Sequence, residues 1–207
     1  MALPHLLLDG PADARVTIAL AHGAGAAMDS PFMQAFAEGL AAAGLRVARF
    51  EFPYMNDRRE TGIKKPPNRA PALIETWQAV IGDLGADKLI IGGKSMGGRI
   101  ASMLADEAGV RGLVCLGYPF RPPGKDLDSG RIEHLTALKT PTLICQGTRD
   151  RFGGIEDVPA YPLSNAIRVE WLEDGDHGFK PRKASGLTEQ SNWEQAIAAI
   201  VRFAEGL

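Results

Sequence analysis

The stretch KLIIGGKSMGGR constrains this chain more than any other. An apolar run from Lys88 to Ile91 leads directly into Gly93-Lys94-Ser95-Met96-Gly97, and a helical pattern, GGRIASMLADE, follows at once. A G-x-S-x-G placed between strand and helix demands a strained turn that lifts the serine hydroxyl above a sheet. The glycines leave room there, where bulkier side chains would collide. The amides at the start of the following helix then point toward any negative charge that develops beside the hydroxyl. The unit predicts a strand, a tight turn and a helix of a parallel sheet, with Ser95 as candidate nucleophile. The same residues match the end of a phosphate-binding loop, G-x-x-x-x-G-K-[ST]. Its first glycine would fall on Lys88 and its cradle on Leu89, Ile90, Ile91 and Gly92, a strand-like run, so nucleotide binding is set aside.

The rest of the chain alternates in the same way. Strands are expected over Val16–Ala21, Leu45–Phe50, Lys88–Ile91, Gly112–Leu116, Pro141–Cys145 and Ile167–Leu172, runs rich in Val, Ile and Leu that suit burial on both faces. Helices are expected over Pro31–Ala43, Pro71–Leu84, Gly97–Ala108, Arg131–Leu138 and Glu189–Glu205. Gly44 and Gly85 serve as stops after the first two. The alternation predicts an α/β class, a mostly parallel sheet with helices on both faces. With 207 residues, 45% hydrophobic and 23% charged, one domain spanning 1–207 is expected. Tyr54–Ala70 and Gly117–Ser129 read as long loops, the kind that wall functional sites.

The net charge of −2, with both signs interspersed, excludes the basic face that nucleic-acid binding needs. No apolar run is long enough to cross a membrane, and MALPHLLLDG lacks the basic start and apolar stretch of an export signal. A cytoplasmic protein is expected. Cys115 and Cys145, each inside an apolar run, read as buried free thiols without metal-ligand spacing.

A hydrolytic serine needs a base, and there are four histidines: His5, His22, His134 and His177. His177 follows the last expected strand in the turn EDGDHGF, and it alone comes after both the serine and an acid, in the order Ser, Asp, His. His134 is expected on a helix surface and His5 lies near the terminus. For the acid, TPTLICQGTRDRFGG places Asp150 just beyond a strand, where a carboxylate can hold the imidazole in the productive tautomer. Asp174 and Asp176 are nearly adjacent to His177 and are expected to shape its turn instead, with Glu156 and Asp157 as weaker alternatives. ALAHGAGAAM adds a strand followed by His22-Gly23-Ala24-Gly25. It predicts an oxyanion hole from the backbone N–H groups of Ala24, Gly25 and Met96.

With HGAG, GGKSMGG, GTRD and DGDHGF in this order, the chain resembles the α/β-hydrolase superfamily over nearly its whole length. It is more narrowly similar to a compact branch of dienelactone-hydrolase-like and testis-expressed hydrolase-like proteins, in which a GYPxxPPGK segment also recurs; here it is GYPFRPPGK, Gly117 to Lys125. That branch also holds a subunit of a chromatin acetyltransferase complex. The resemblance implies the fold and the Ser95, Asp150, His177 triad.

Too few residues lie between Leu116 and Pro141 for a lid domain, so an open site walled by the two loops is expected. Arg58, Arg59, Lys64, Lys65, Arg121 and Lys125 on those loops would favour an anionic substrate, although a solvated loop explains each alone. The expected activity is hydrolysis of a small carboxylic ester or related acyl substrate, with no metal or cofactor. A homodimer stays open. The alternatives are a noncatalytic interaction protein on the same fold, or a thioesterase, peptidase or C–C hydrolase with the same triad.

Overall fold

The computed structural model describes residues 3–124 and 129–207. Among these, seven strands form one sheet: β1 (Leu6–Asp9), β2 (Thr17–Ala21), β3 (Arg46–Phe50), β4 (Leu89–Lys94), β5 (Gly112–Leu116), β6 (Thr142–Gly147) and β7 (Ile167–Leu172). The order across the sheet is β1-β3-β2-β4-β5-β6-β7. Only β1 runs antiparallel, against β3, and the other pairings are parallel. Helices α1 (Pro31–Ala42), α2 (Pro53–Thr61), α3 (Ala70–Leu84), α4 (Met96–Ser102), α5 (Ala105–Ala108), α6 (Ser129–Ile132) and α7 (Glu189–Glu205) complete the element order. None of the described helices is long and apolar enough to cross a membrane.

Alternation along the strands divides the core in two. Ala19, Phe50, Ile91, Leu113 and Ile144 pack with Leu73 and Trp77 of α3 and Ile100 of α4. Their neighbours Leu20, Ile90, Val114 and Leu143 pack on the opposite face with Phe36 and Leu40 of α1 and Ala199 and Ile200 of α7. Both faces are covered, which is why the strands read as unbroken apolar runs. The two cysteines lie on adjacent strands but on opposite faces, with both thiols free and buried.

Four expectations need correction. β1 was not expected: four residues, LLLD, carry too little pattern to mark a strand, and pairing with β3 creates it. The helix α2, Pro53–Thr61, takes up the first half of the expected loop Tyr54–Ala70, whose last residue already belongs to α3. Tyr54 and Met55 are the buried residues of α2, so it shows no apolar stripe; contacts such as Asn56 to Glu60 and Arg59 to Glu51 support it, and Gly62 ends it at φ 71°. The expected helix Gly97–Ala108 tightens at Met103 and Leu104, whose N–H groups donate to Ile100 and Ala101, three residues back. The Ser102 hydroxyl bonds to the Arg99 carbonyl at 2.7 Å there, competing with the regular ladder. The expected helix Arg131–Leu138 is the short α6 followed by a single 3-10 turn, Glu133–Thr136. Lys125 lies outside the described residues.

The order of strands also places the site. From β2 the chain crosses through α1 to β3 on one side, then returns to β4 on the other, so the loops leaving β2 and β4 diverge at their carboxyl ends. Such a switch point opens a crevice in a parallel sheet. HGAG leaves β2 and Ser95 leaves β4.

Candidate active site

Ser95 occupies the turn between β4 and α4 with φ 50° and ψ −113°, a left-handed conformation that L side chains rarely adopt. Close packing enforces it. A Cβ on Gly93 would stand 2.1 Å from the Ala21 carbonyl oxygen, and one on Gly97 would stand 2.4 Å from the same atom. Both flanking glycines therefore let the turn press against the end of β2. The Ser95 N–H is tied to the Leu116 carbonyl at 3.0 Å, and Ser95 O accepts from Arg99 N as α4 begins.

His177 Nε2 lies 2.9 Å from Ser95 Oγ, and His177 Nδ1 lies 2.7 Å from Asp150 Oδ2. Asp150 is buried just beyond β6. Its Oδ2 also accepts from Gln146 Nε2 at 2.9 Å, and its Oδ1 accepts from the Phe152 N–H at 2.8 Å. The imidazole packs against the Phe152 ring, 4.3 Å between centroids. Burial lowers the His177 pKa, the Asp150 hydrogen bond opposes that, and the Lys94 charge lowers it further.

The turn carrying His177 is held from several sides. Asn192 of α7 donates to the carbonyls of Glu173 and Phe179, Trp193 donates to that of Gly178, and Lys94 donates to that of His177. The Asp174 carboxylate accepts from Arg182 and pairs with Arg149, which also donates to the Asp174 carbonyl; the Arg182 hydrogen bonds foremost, with the Arg149 charge, hold the carboxyl down to about 2. Asp176 Oδ1 accepts from the N–H groups of Gly178 and Lys180. Both carboxylates are thus engaged in shaping the turn, and Asp150 is the acid on the imidazole. Asp157 pairs with Arg121.

The HGAG loop lies alongside. A Cβ on Gly23 would stand 3.7 Å from that of Ser95. The fully buried His22 staples the loop: its Nε2 accepts the Phe52 N–H at 3.1 Å, so the ring proton is on Nδ1, which donates to the Gly23 carbonyl at 2.7 Å. Burial lowers its pKa and favours this neutral form. The Tyr54 hydroxyl donates to the Ala24 carbonyl at 3.1 Å. Met96 opens α4, so its N–H belongs to the first turn, which has no acceptor within the helix.

Sequence reasoning missed His22 as a staple, Tyr54 and Lys94, because each acts through a contact between distant strands or loops, and Gln146, whose amide joins Asp150 four residues on to Tyr118 of a distant loop. His134, expected on a helix surface, is half-buried in a 3-10 turn, with Nε2 2.8 Å from the Ser102 hydroxyl. Of the basic side chains expected to bias the site, Arg59 is paired with Glu51 and Asp29, Lys65 with Asp57 and Arg121 with Asp157. Arg58 Nη1 stands 3.5 Å from the Gly25 carbonyl.

A mostly parallel sheet with a strained serine at its switch point defines an α/β-hydrolase architecture. The family model for the alpha/beta hydrolase domain matches residues 14–205, and the chain belongs to that family. No curated protein matches it. Among solved structures it is similar to an alpha-beta serine hydrolase homologue from Coxiella burnetii, at 19% identity and TM-score 0.71, covering 95% of this chain and 89% of that one. It is also similar to a serine hydrolase without lid from Xanthomonas campestris, at 18% identity and TM-score 0.67, covering 95% and 87%. A third is a monoacylglycerol lipase from Paleococcus ferrophilus, at 16% identity and TM-score 0.69, covering 95% and 99%. At such identities the likeness is one of fold.

Proposed function

We propose that this protein is a serine hydrolase that cleaves a small carboxylic ester, or a related acyl substrate, through a covalent acyl-enzyme. One observation carries the reading: the unbroken hydrogen-bonded line from Ser95 through His177 to Asp150, beginning at a strained serine. Strain and desolvation of this kind cost stability and are kept where chemistry uses them.

In the reaction, His177 Nε2 takes the Ser95 proton as Oγ attacks the acyl carbon. Asp150 steadies the imidazolium, and the N–H groups of Met96, Ala24 and Gly25 receive the negative oxygen. The imidazolium then gives its proton to the leaving alcohol oxygen, leaving an ester on Ser95. Water, deprotonated by the same nitrogen, attacks that ester; the bond to Ser95 Oγ breaks, the imidazolium returns its proton to Oγ, and the carboxylic acid leaves. His22 and Tyr54, by fixing the Gly23 and Ala24 carbonyls, set the direction of the loop amides.

The fold neighbours, a serine hydrolase without lid and a monoacylglycerol lipase among them, accord with acyl chemistry. Two buried free thiols accord with a reducing, cytoplasmic setting. Labelling with a fluorophosphonate probe, followed by p-nitrophenyl esters of increasing acyl length, tests the reading. Covalent modification at Ser95 and turnover of the shorter esters are expected. An unlabelled Ser95 together with no turnover of any ester would contradict it.

A further inference from the structure

We propose that Lys94 is a positioning residue for His177, clamping its main-chain carbonyl and laying a fixed positive charge beside its imidazole. The inference rests on the hydrolase reading above, but its physical core can be measured without turnover.

Lys94 is the last residue of β4 and precedes Ser95. Its Nζ donates to the His177 carbonyl oxygen at 2.6 Å and lies 5.5 Å from the Phe32 ring centroid and 5.7 Å from that of Phe179. The point a Gly117 Cβ would occupy is 2.8 Å from this nitrogen and 3.3 Å from His177 Nδ1, so ammonium and imidazole flank the same small space. Among the described residues no carboxylate comes within ion-pair distance of Lys94; Asp150 and Asp176 act on it from farther away. Glu189 lines the same 370 Å³ surface cavity that Lys94, Phe32 and Trp193 line.

A carbonyl needs only a donor, and neutral donors serve its neighbours in the turn: Asn192 for Glu173 and Phe179, Trp193 for Gly178. A lysine is a costly way to satisfy the same need. Burial pushes the Lys94 pKa down to about 8, against partial support from Asp150 and Asp176. The charged form is therefore less stable here than in water, and the folded protein pays for a charge that the hydrogen bond alone does not require. What the charge does lies next to it. The polar and charged groups that act on the His177 ring are Ser95, Asp150, Asp176 and Lys94, and Lys94 opposes protonation where the two carboxylates favour it. Asp150 alone would hold the ring charged up to a higher pH. With Lys94 opposite, the ring is oriented by the carboxylate yet stays free to accept a proton near neutral pH.

The two roles separate in two variants. Lys94→Gln keeps a donor and removes the charge, while Lys94→Met removes both. The His177 imidazole is titrated by NMR in each, with kcat and kcat/KM followed across pH on a p-nitrophenyl ester and with Ser95→Ala as control. In both variants the His177 pKa and the acid limb of kcat/KM are expected to move to higher pH. The plateau kcat is expected to stay within a few-fold for Lys94→Gln and to fall about ten- to a hundred-fold for Lys94→Met, with KM changed far less. Lys94→Gln, which keeps a donor, should melt close to the wild-type temperature, and Lys94→Met somewhat below it, because it leaves the His177 carbonyl without its donor. An unmoved His177 pKa in both variants overturns the proposal, and so does failure of both to fold, which would make Lys94 a residue of the fold. Ester turnover surviving in Ser95→Ala would instead sink the hydrolase reading and leave the NMR result to judge Lys94 independently.

Discussion

Asp150 Oδ2 and His177 Nδ1 stand 2.7 Å apart although 27 positions separate them in the chain, while Asp176, next to His177, turns its Oδ1 to the backbone instead. Proximity in sequence is no guide here. A carboxylate one residue away bonds the local N–H groups more readily than it reaches the ring.

Asp150→Asn is therefore expected to reduce kcat by about ten-thousand-fold, because an amide stabilises the wrong tautomer and cannot support the imidazolium. Asp176→Asn keeps an acceptor for the Gly178 and Lys180 amides and should cost about ten-fold or less, near 1.4 kcal/mol of barrier. Steady-state kinetics of the two variants on one activated ester checks this. The reverse ranking would remove Asp150 from the third position.

The pH dependence follows from burial. His177 has its pKa lowered below the ordinary 6.5, chiefly by desolvation, so kcat/KM toward an uncharged ester should rise through a single ionisation below pH 6.5 and level off above it. His22 and His134 are shifted the same way, also mainly by burial. A base with a depressed folded pKa takes up its proton first in the unfolded chain. The stability these three imidazoles contribute should accordingly be complete above the unfolded value of 6.5 and decline as pH falls below it. Urea midpoints at about pH 7.5 and about pH 5.5 measure this, and a higher midpoint in acid would contradict the assignment of neutral buried imidazoles.

Gly97→Ala tests the elbow through packing. The added methyl carbon would stand 2.4 Å from the Ala21 carbonyl oxygen and 2.7 Å from that of His22, both backbone atoms that cannot swing away. A loss of about 1–3 kcal/mol is expected, with turnover falling further than stability because the HGAG loop is pushed from Ser95. Denaturant unfolding and kinetics on the same preparation separate the two effects. An unchanged midpoint would mean that the turn is looser than its contacts indicate.

Much of this is legible in the sequence. The apolar runs ending at Ala21, Ile91 and Leu116 mark strands covered on both faces, and the three residues picked out by chain order are the three brought within hydrogen-bonding distance. What escaped has physical causes. LLLD is too short to show a period, and α2 buries only Tyr54 and Met55, so its polar DRRE stretch looks like a loop. His22 reads as part of a turn motif until the Phe52 N–H is found on its ring. Lys94 reads as the variable residue of G-x-S-x-G, because strand alternation does not say that its ammonium ends beneath the His177 carbonyl.

The central claim is that Ser95 is the nucleophile, and the most direct measurement is covalent labelling combined with turnover in wild type and Ser95→Ala. The wild type should react with a fluorophosphonate at one site, mapped by mass spectrometry to the peptide holding Ser95. Ser95→Ala should stay unlabelled and lose up to roughly a million-fold in kcat while melting close to the wild-type temperature. A labelled or active Ser95→Ala protein would contradict the account.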